Sequence, residues 1–483
     1  MEHESCRVKT VPVFVDEEGR SLLKEIVAPN LSNTGHVEMD SLDFGQKVIE
    51  QYFRNFKPIP WGEVIKGNDV LAPLNKDSVN GYGYGNDKTA YIDFEKGTLD
   101  PEYQKYLEDL ETRLISGDVQ VSEMLAYHAL KEEPRPQGKK PRTFAVMPLH
   151  MTLLFKKYFG QIMAYIKENR HVNGIAIGLN PYKEWTKVFN NLTSGDKKLM
   201  DADFGRWDRS LIAAFLDRVL ASLRKFFVGT TREHKILKAL CDSLVRMFIL
   251  VKDELYLITH GLQSGCWLTA LLNSLINKLI SGCTFYETYK GDDATFNSLP
   301  KRKADEERLN QFNRITEYFL GDDRISGVPP DLARYYNLRT IKPFVESLGM
   351  EITDGRKNPI DHEFVKPENA SFLKRNFVVD KVDNKGRIIA PLSIDTLGNL
   401  FKFCDSSKDF KTVMSDRSVV FQIEKYLHKN NPLLDELEVS VKQWFDENDL
   451  VWKTLPNERI VEILSSDDGY NIVNKLNNKF YDY

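Results

Sequence analysis

An apolar run from Ile315 to Leu320 stops at Gly321 and is followed at once by two carboxylates, Asp322 and Asp323. This pattern predicts a strand that ends in a tight turn and presents adjacent acids. Such a turn can be simply solvated, or it can hold divalent cations. Further segments of the chain bear on that choice. Asp203 closes the short strand-like run Leu199 to Phe204 within LMDADFGRWDRS (199–210). Asp208 then opens a stretch in which Leu211, Phe215, Val219 and Leu223 recur at helical spacing. The four residues between the two aspartates turn the chain, so both can face one pocket. Asp208 reads equally as a helix N-cap. Two hard divalent ions roughly 4 Å apart, held by carboxylate oxygens, can activate an attacking hydroxyl and stabilise a leaving oxygen. Asp203, Asp322 and Asp323 are therefore the candidate metal ligands.

A glycine-flanked loop, Gly261 to Gly265, leads into a stretch in which Thr269, Asn273 and Asn277 fall four apart, beside a stripe of Leu268, Leu272, Leu275 and Leu279. A polar face on an otherwise apolar helix reads either as a core helix whose amides bond neighbouring backbone or as part of a polar site. The segment 131–144 gathers Lys131, Arg135, Lys139, Lys140 and Arg142 in a chain of formal net charge −4. Such a cluster is either a solvated basic loop or a set of fixed cations for an anionic ligand. In DSVNGYGYG (77–85), Gly81, Gly83 and Gly85 permit close backbone approach, and Tyr82 and Tyr84 are candidates for stacking on bases. Asn80-Gly81 is also an ordinary turn signal.

Taken in order, the segments at 199–210, 260–277, 321–323, 353–358 (TDGRKN) and 372–375 (FLKR) resemble the palm of picornavirus-like (order Picornavirales) RNA-dependent RNA polymerases. The resemblance runs along nearly the whole chain. It implies an α+β right hand of fingers, palm (antiparallel sheet plus helices) and helical thumb encircling the active site. It also implies template-directed RNA synthesis for a positive-strand RNA virus, by nucleotidyl transfer with release of pyrophosphate. By resemblance Asp203, Asp322, Asp323 and Lys357 are catalytic, with Mg2+ (or Mn2+) on the aspartates and Lys357 as general acid. Lys131, Arg135, Lys140 and Arg142 line the nucleotide tunnel, and Asp208, Ser264, Thr269 and Asn273 sense the ribose 2'-hydroxyl. Ser78 and Gly81 belong to a template-guiding loop, and Lys374 and Arg375 to a strand that grips the primer end. The implied partners are template and nascent RNA, ribonucleoside triphosphates, a genome-linked protein primer and other viral replication proteins. The implied location is the host cytoplasm, in membrane-associated replication complexes reached through those partners.

The chain departs from the family pattern at Pro134, at Leu320 where a tyrosine is usual, and at Arg324, which sets a cation beside the acidic pair. A second Gly-Asp-Asp, Gly291 to Asp293, also competes for the metal site. The copy at 321–323 follows an apolar strand and lies nearer Lys357, so it is expected to be catalytic. The earlier copy is then a loop, and KRKADEERLNQ (301–311) a charged surface insertion.

Expected boundaries are fingers 1–197 and 218–258, palm 198–217 and 259–380, and thumb 381–483. Helices are expected at His150 to Lys167, Val419 to His428 and Leu433 to Glu447. With 483 residues and 42% hydrophobic content the chain can bury several cores. Five cysteines without metal-ligand spacing point to a reducing compartment without structural disulfides. No apolar stretch approaches the roughly 20 residues that span a bilayer. Two other readings remain. A reverse transcriptase would need a bulky residue against the 2'-hydroxyl, and a catalytically silent RNA-binding scaffold would not need the aspartates.

Overall fold

The computed structural model describes residues 35–85, 87–131, 142–289, 296, 298–380, 386–404, 408–429 and 431–477. Arg135, Lys139 and Lys140 of the basic loop, and the Gly-Asp-Asp at 291–293, lie outside the described residues. The strands that matter for function are β1 (Leu125–Leu130), β2 (Thr143–Val146), β3 (Lys198–Gly205), β4 (Met247–Val251), β5 (Glu254–Ile258), β6 (Thr316–Leu320), β7 (Asp323–Val328) and β8 (Glu351–Asp354). The principal helices are α1 (Met39–Glu50), α2 (Leu149–Glu168), α3 (Pro181–Thr193), α4 (Ala213–Phe226), α5 (Thr231–Val245), α6 (Thr269–Thr288), α7 (Lys301–Phe312), α8 (Leu338–Ser347), α9 (Phe410–His428) and α10 (Pro432–Glu447).

Two four-stranded sheets organise the molecule. In the palm the order is β8-β3-β7-β6, antiparallel throughout, with β3 and β7 in the centre. In the fingers the order is β2-β1-β4-β5, where β1 and β4 run parallel and the outer pairs antiparallel. Strands β4 and β5 follow α4 and α5 in the chain but join the sheet of β1 and β2 rather than that of β3.

Helix α6 is buried along almost its whole length, from Leu271 to Phe285. An apolar helix of this kind belongs inside a core rather than on its surface. It crosses α1 at a glycine contact. A Cβ on Gly45 would lie 2.6 Å from the Leu279 carbonyl oxygen, and one on Gly282 would lie 3.0 Å from the Gly45 Cα. The two backbones can approach so closely only because both positions lack a side chain.

Helix α3, assigned to the fingers from the sequence, buries Trp185, Val188 and Leu192 in one core with Tyr318 and Ile325 of the palm hairpin. The thumb has its own core around Leu400, Met414, Phe421 and Phe445. Helix α9 starts at Phe410, with Asp409 accepting from the Thr412 N–H as its cap, well before the expected Val419. Helix α2 matches the expected amphipathic segment to within a residue at each end.

Two expectations are corrected. The stretch after Asp208 is not one continuous helix. Trp207–Ser210 forms a single turn, Leu211 and Ile212 are extended, and α4 begins at Ala213. Helix α7 is also more than a surface insertion. Its Asp305 is buried and accepts from Lys47 Nζ at 2.9 Å, and Phe312 packs edge-on against Phe285. Among the described residues no helix is long and apolar enough to cross a membrane, and Cys241, Cys266, Cys283 and Cys404 are buried.

Candidate active site

Strand register brings the acids together. Ala202 of β3 pairs with Arg324 of β7, so the next residues outward, Asp203 and Asp323, stand beside each other on adjacent strands. Gly321 and Asp322 form the two-residue turn between β6 and β7, with Leu320 paired to Asp323. Gly321 adopts φ 64°, a left-handed conformation natural to glycine. Side chains alternate along a strand, so Asp323 and Arg324 point to opposite faces. This explains the cation in the acidic motif. Arg324 is 1% exposed on the far face, where its guanidinium donates to Tyr336 Oη at 3.3 Å. Leu320 is buried in the apolar core beneath the hairpin.

Burial and mutual repulsion dominate the electrostatics. Asp203 and Asp322 are both held above the ordinary carboxylate range, chiefly by burial. Asp323 is pushed up to about 7, by burial first and then by the charges of Asp322 and Asp203. Like charges packed this closely call for a cation. Lys357 Nζ forms an ion pair with Asp203 Oδ2 at 3.5 Å. Among the described residues no group of three or more acidic, His or Cys side chains is drawn together tightly enough to hold a metal as it stands. The donor chemistry nevertheless suits a hard divalent cation, because all three donors are carboxylates in a desolvated pocket.

Asp208 joins this pocket from the one-turn helix. Its pKa is pushed up to about 6, first by burial and then by the charge of Asp322, with the Asn273 hydrogen bond opposing. Asn273 Nδ2 donates to Asp208 Oδ1 at 3.0 Å, and Trp207 Nε1 donates to Asn273 Oδ1 at 2.9 Å. Asp208 is thus neither a bare helix cap nor a solvated carboxylate. Thr269 Oγ1 donates to the Gln263 carbonyl at 3.2 Å, which ties the glycine loop to the start of α6. The Ser264 carbonyl accepts from the Ala145 N–H at 2.6 Å, so that loop lies along the fingers strand β2.

The cations converge on the same place. Burial pulls Lys374 below the usual ammonium range, with Asp323 opposing and Lys357, Lys131 and Arg142 adding repulsion. Lys374 and Leu373 occupy a tight turn, both at positive φ, between Ser371–Phe372 and Arg375–Asn376. The continuous strand expected from Phe372 to Arg375 is therefore a hairpin, and its two basic residues diverge. Arg375 is 4% exposed and forms a two-pronged ion pair with Glu424 of the thumb, at 2.8 and 3.1 Å. It fastens palm to thumb and cannot reach RNA. In the 77–85 loop, Tyr82 is exposed, but Tyr84 hydrogen-bonds His150 Nδ1 at 2.6 Å and is held within a cluster of tyrosines. Tyr84 is therefore not available for stacking on bases. Ser78 is exposed beside Lys88, and Gly81 at φ 85° presses against the Met147 carbonyl, where no Cβ would fit.

Several contributors were not singled out from the sequence. Asp201 is buried and accepts from the Ser371 N–H at 2.9 Å and the Gly355 N–H at 3.4 Å. It thereby anchors both the Lys374 hairpin and the Lys357 loop. Asp354 shapes that loop by accepting from the Asn358 and Arg356 backbone N–H groups. The two-residue alternation between Asp201 and Asp203 was the available signal, since it puts both on one face of β3.

The sequence model of the family described as viral RNA-dependent RNA polymerase matches residues 34–403. The RNA1 polyprotein of Tomato ringspot virus is 27% identical over 65% of this chain, and the replicase polyprotein of Acute bee paralysis virus is 25% identical over 74%. The chain spans only a small part of these relatives, whose matched stretches are 13% and 19% of their lengths. The solved structure of a Sicinivirus 3Dpol RNA-dependent RNA polymerase superposes with a TM-score of 0.78 at 17% identity, covering 94% of this chain and 91% of the other. That likeness establishes the right-hand α+β fold. The family match covers both the β3 aspartate and the acidic hairpin that faces it, and the chain belongs to the viral RNA-dependent RNA polymerases, as a picornavirus-like member.

Proposed function

We propose that this chain copies RNA templates, adding ribonucleoside monophosphates to a 3'-hydroxyl with release of pyrophosphate, in the replication of a positive-strand RNA virus genome. The observation that carries this reading is the meeting of Asp203 and Asp323 across the β3–β7 register, with Asp322 on the adjoining turn. Asp203, Asp322 and Asp323 would hold Mg2+, with Mn2+ as an alternative; when bound, such ions lower the cost of charge on the attacking and departing oxygens. Lys357, whose ammonium lies 3.5 Å from Asp203, would give a proton to the departing pyrophosphate. Lys131, Arg142 and Lys374 supply positive charge for the triphosphate.

Asp208 and Asn273 offer a polar, desolvated pair to a ribose hydroxyl. A deoxyribose would leave that pair unsatisfied, and this polar pocket favours ribonucleotides over the reverse-transcriptase reading. The curated relatives are polyproteins, which supports action alongside other viral replication proteins; a genome-linked protein primer and membrane-associated complexes of the host cytoplasm are part of the same proposal. Primer extension on a defined RNA template tests the reading, with oligonucleotide, peptide-linked and unprimed starts offered separately. Absence of product under every start, with folded protein and divalent cation present, would leave the silent-scaffold reading standing.

A further inference from the structure

Helix α6 also grips the acidic turn by its backbone. Ser274 Oγ accepts from the Gly321 N–H at 2.9 Å while donating to the Ala270 carbonyl at 2.6 Å. One helical turn further on, Asn277 Nδ2 donates to the Gly321 carbonyl at 3.1 Å and to the Asp322 carbonyl at 3.0 Å. Three backbone polar groups of the turn, one N–H and two successive carbonyls, are thus held from one helix face. Asn277 is fully buried, and its Oδ1 finds no partner among the described residues. As a packing residue asparagine is a poor choice here, because a buried acceptor without a partner is costly and a leucine would avoid that cost. What an apolar residue could not do is bridge two successive carbonyls with one amide.

The turn needs such restraint. It carries Asp322 and precedes Asp323, and these carboxylates repel each other and Asp203. With its carbonyls untied, a two-residue turn could rotate its peptide planes and swing the Asp322 side chain away from β3. We infer that Asn277, assisted by Ser274, is a positioning residue for cation binding, which fixes the direction in which the turn presents Asp322 toward Asp203. This inference rests on the reading of those aspartates as divalent-cation ligands. Asn277 itself touches neither substrate nor cation.

The test is single-nucleotide addition on a preformed primer–template at saturating nucleotide, titrated with free Mg2+, for wild type, Asn277→Ala, Asn277→Asp and Ser274→Ala. RNA affinity and metal-free thermal unfolding are measured alongside. Loss of the two amide bonds in Asn277→Ala should raise the half-saturating Mg2+ concentration about tenfold or more, with RNA affinity unchanged. Asn277→Asp should shift it further, because a carboxylate would face the two carbonyls. Ser274→Ala should shift it less. A residue that merely supports the fold would lower stability and the yield of active enzyme but leave the Mg2+ dependence of the active fraction where it was. An unshifted Mg2+ dependence in Asn277→Ala overturns the inference. Should both Asn277 variants fail to fold, an unshifted Ser274→Ala does the same. A wild-type enzyme that extends primers without any divalent cation would instead refute the metal-site reading underneath.

Discussion

The Asn273 side-chain amide donates to the Asp208 carboxylate at 3.0 Å while its carbonyl accepts the Trp207 indole N–H at 2.9 Å, so one side chain of α6 is tied to two neighbouring residues of the one-turn helix. Asn273→Ala or Asp208→Ala should reduce the preference for ribonucleotides over deoxynucleotides by roughly 1 to 3 kcal/mol, the value of a buried hydrogen-bond partner. The check is the ratio of incorporation efficiencies for matched nucleotide pairs. Equal ratios in wild type and both variants would remove the pair from sugar recognition.

Lys357 sits at φ 66° on a loop organised by Asp354, with its side chain 77% exposed and its ammonium 3.5 Å from Asp203. Lys357→Leu should slow nucleotide addition by roughly 10² to 10⁴ with RNA binding nearly intact. Rapid-quench kinetics at saturating nucleotide measure this directly. A wild-type rate would end the general-acid assignment.

Asp322→Ala should abolish extension, because it removes a carboxylate from the proposed two-ion site. Replacing Asp292 and Asp293 together with alanine should change stability by no more than roughly 0.5 kcal/mol and leave polymerase activity largely intact. The reverse outcome, with a folded but inactive Asp292/Asp293 variant and an active Asp322 variant, would move the site to the earlier copy.

Metal-free stability should depend on pH through the acidic pocket. Asp323 has a folded-state pKa of about 7, above its unfolded value near 4. The folded protein therefore holds the extra proton more tightly than the unfolded chain. The associated stability is complete below about pH 4 and is lost as pH rises through 7. Asp208, at about 6, acts in the same direction. Thermal unfolding in chelator from pH 5 to 8 should show a falling midpoint, with a smaller slope in Asp323→Asn. Added Mg2+ should stabilise more at pH 8 than at pH 6, because it needs the ionised carboxylates. A slope unchanged in Asp323→Asn would contradict the assignment.

Glu424→Ala should destabilise the protein by roughly 3 to 5 kcal/mol, because it strands the buried Arg375 charge. Denaturant unfolding checks this. Glu424→Ala combined with Arg375→Met should recover much of the loss. If the double variant were as unstable as the single one, the ion pair would not be the connection between hairpin and thumb.

The chain's local patterns were enough to locate the acidic turn, the β3 strand, the polar stripe on α6 and the thumb helices. Each depends on short-range periodicity and on residue chemistry confined to a few neighbours. The resemblance to a known palm supplied the order in which these pieces meet. Only the tertiary structure could show where individual side chains end up. Lys374 and Arg375 are adjacent in sequence, yet a turn with two left-handed residues sends one toward the acidic pocket and the other into a buried ion pair. Tyr84 and Tyr82 part in the same way, one into a hydrogen-bonded cluster and the other to solvent. Asn277 was visible as part of a stripe, but its partners lie 44 and 45 residues away, and only folding brings that helix face against the turn. Burial, too, is a property of the assembled fold. It raises the pKa of four aspartates whose sequence neighbours give no hint of it, and in doing so it turns a set of acidic residues into a site suited to cations.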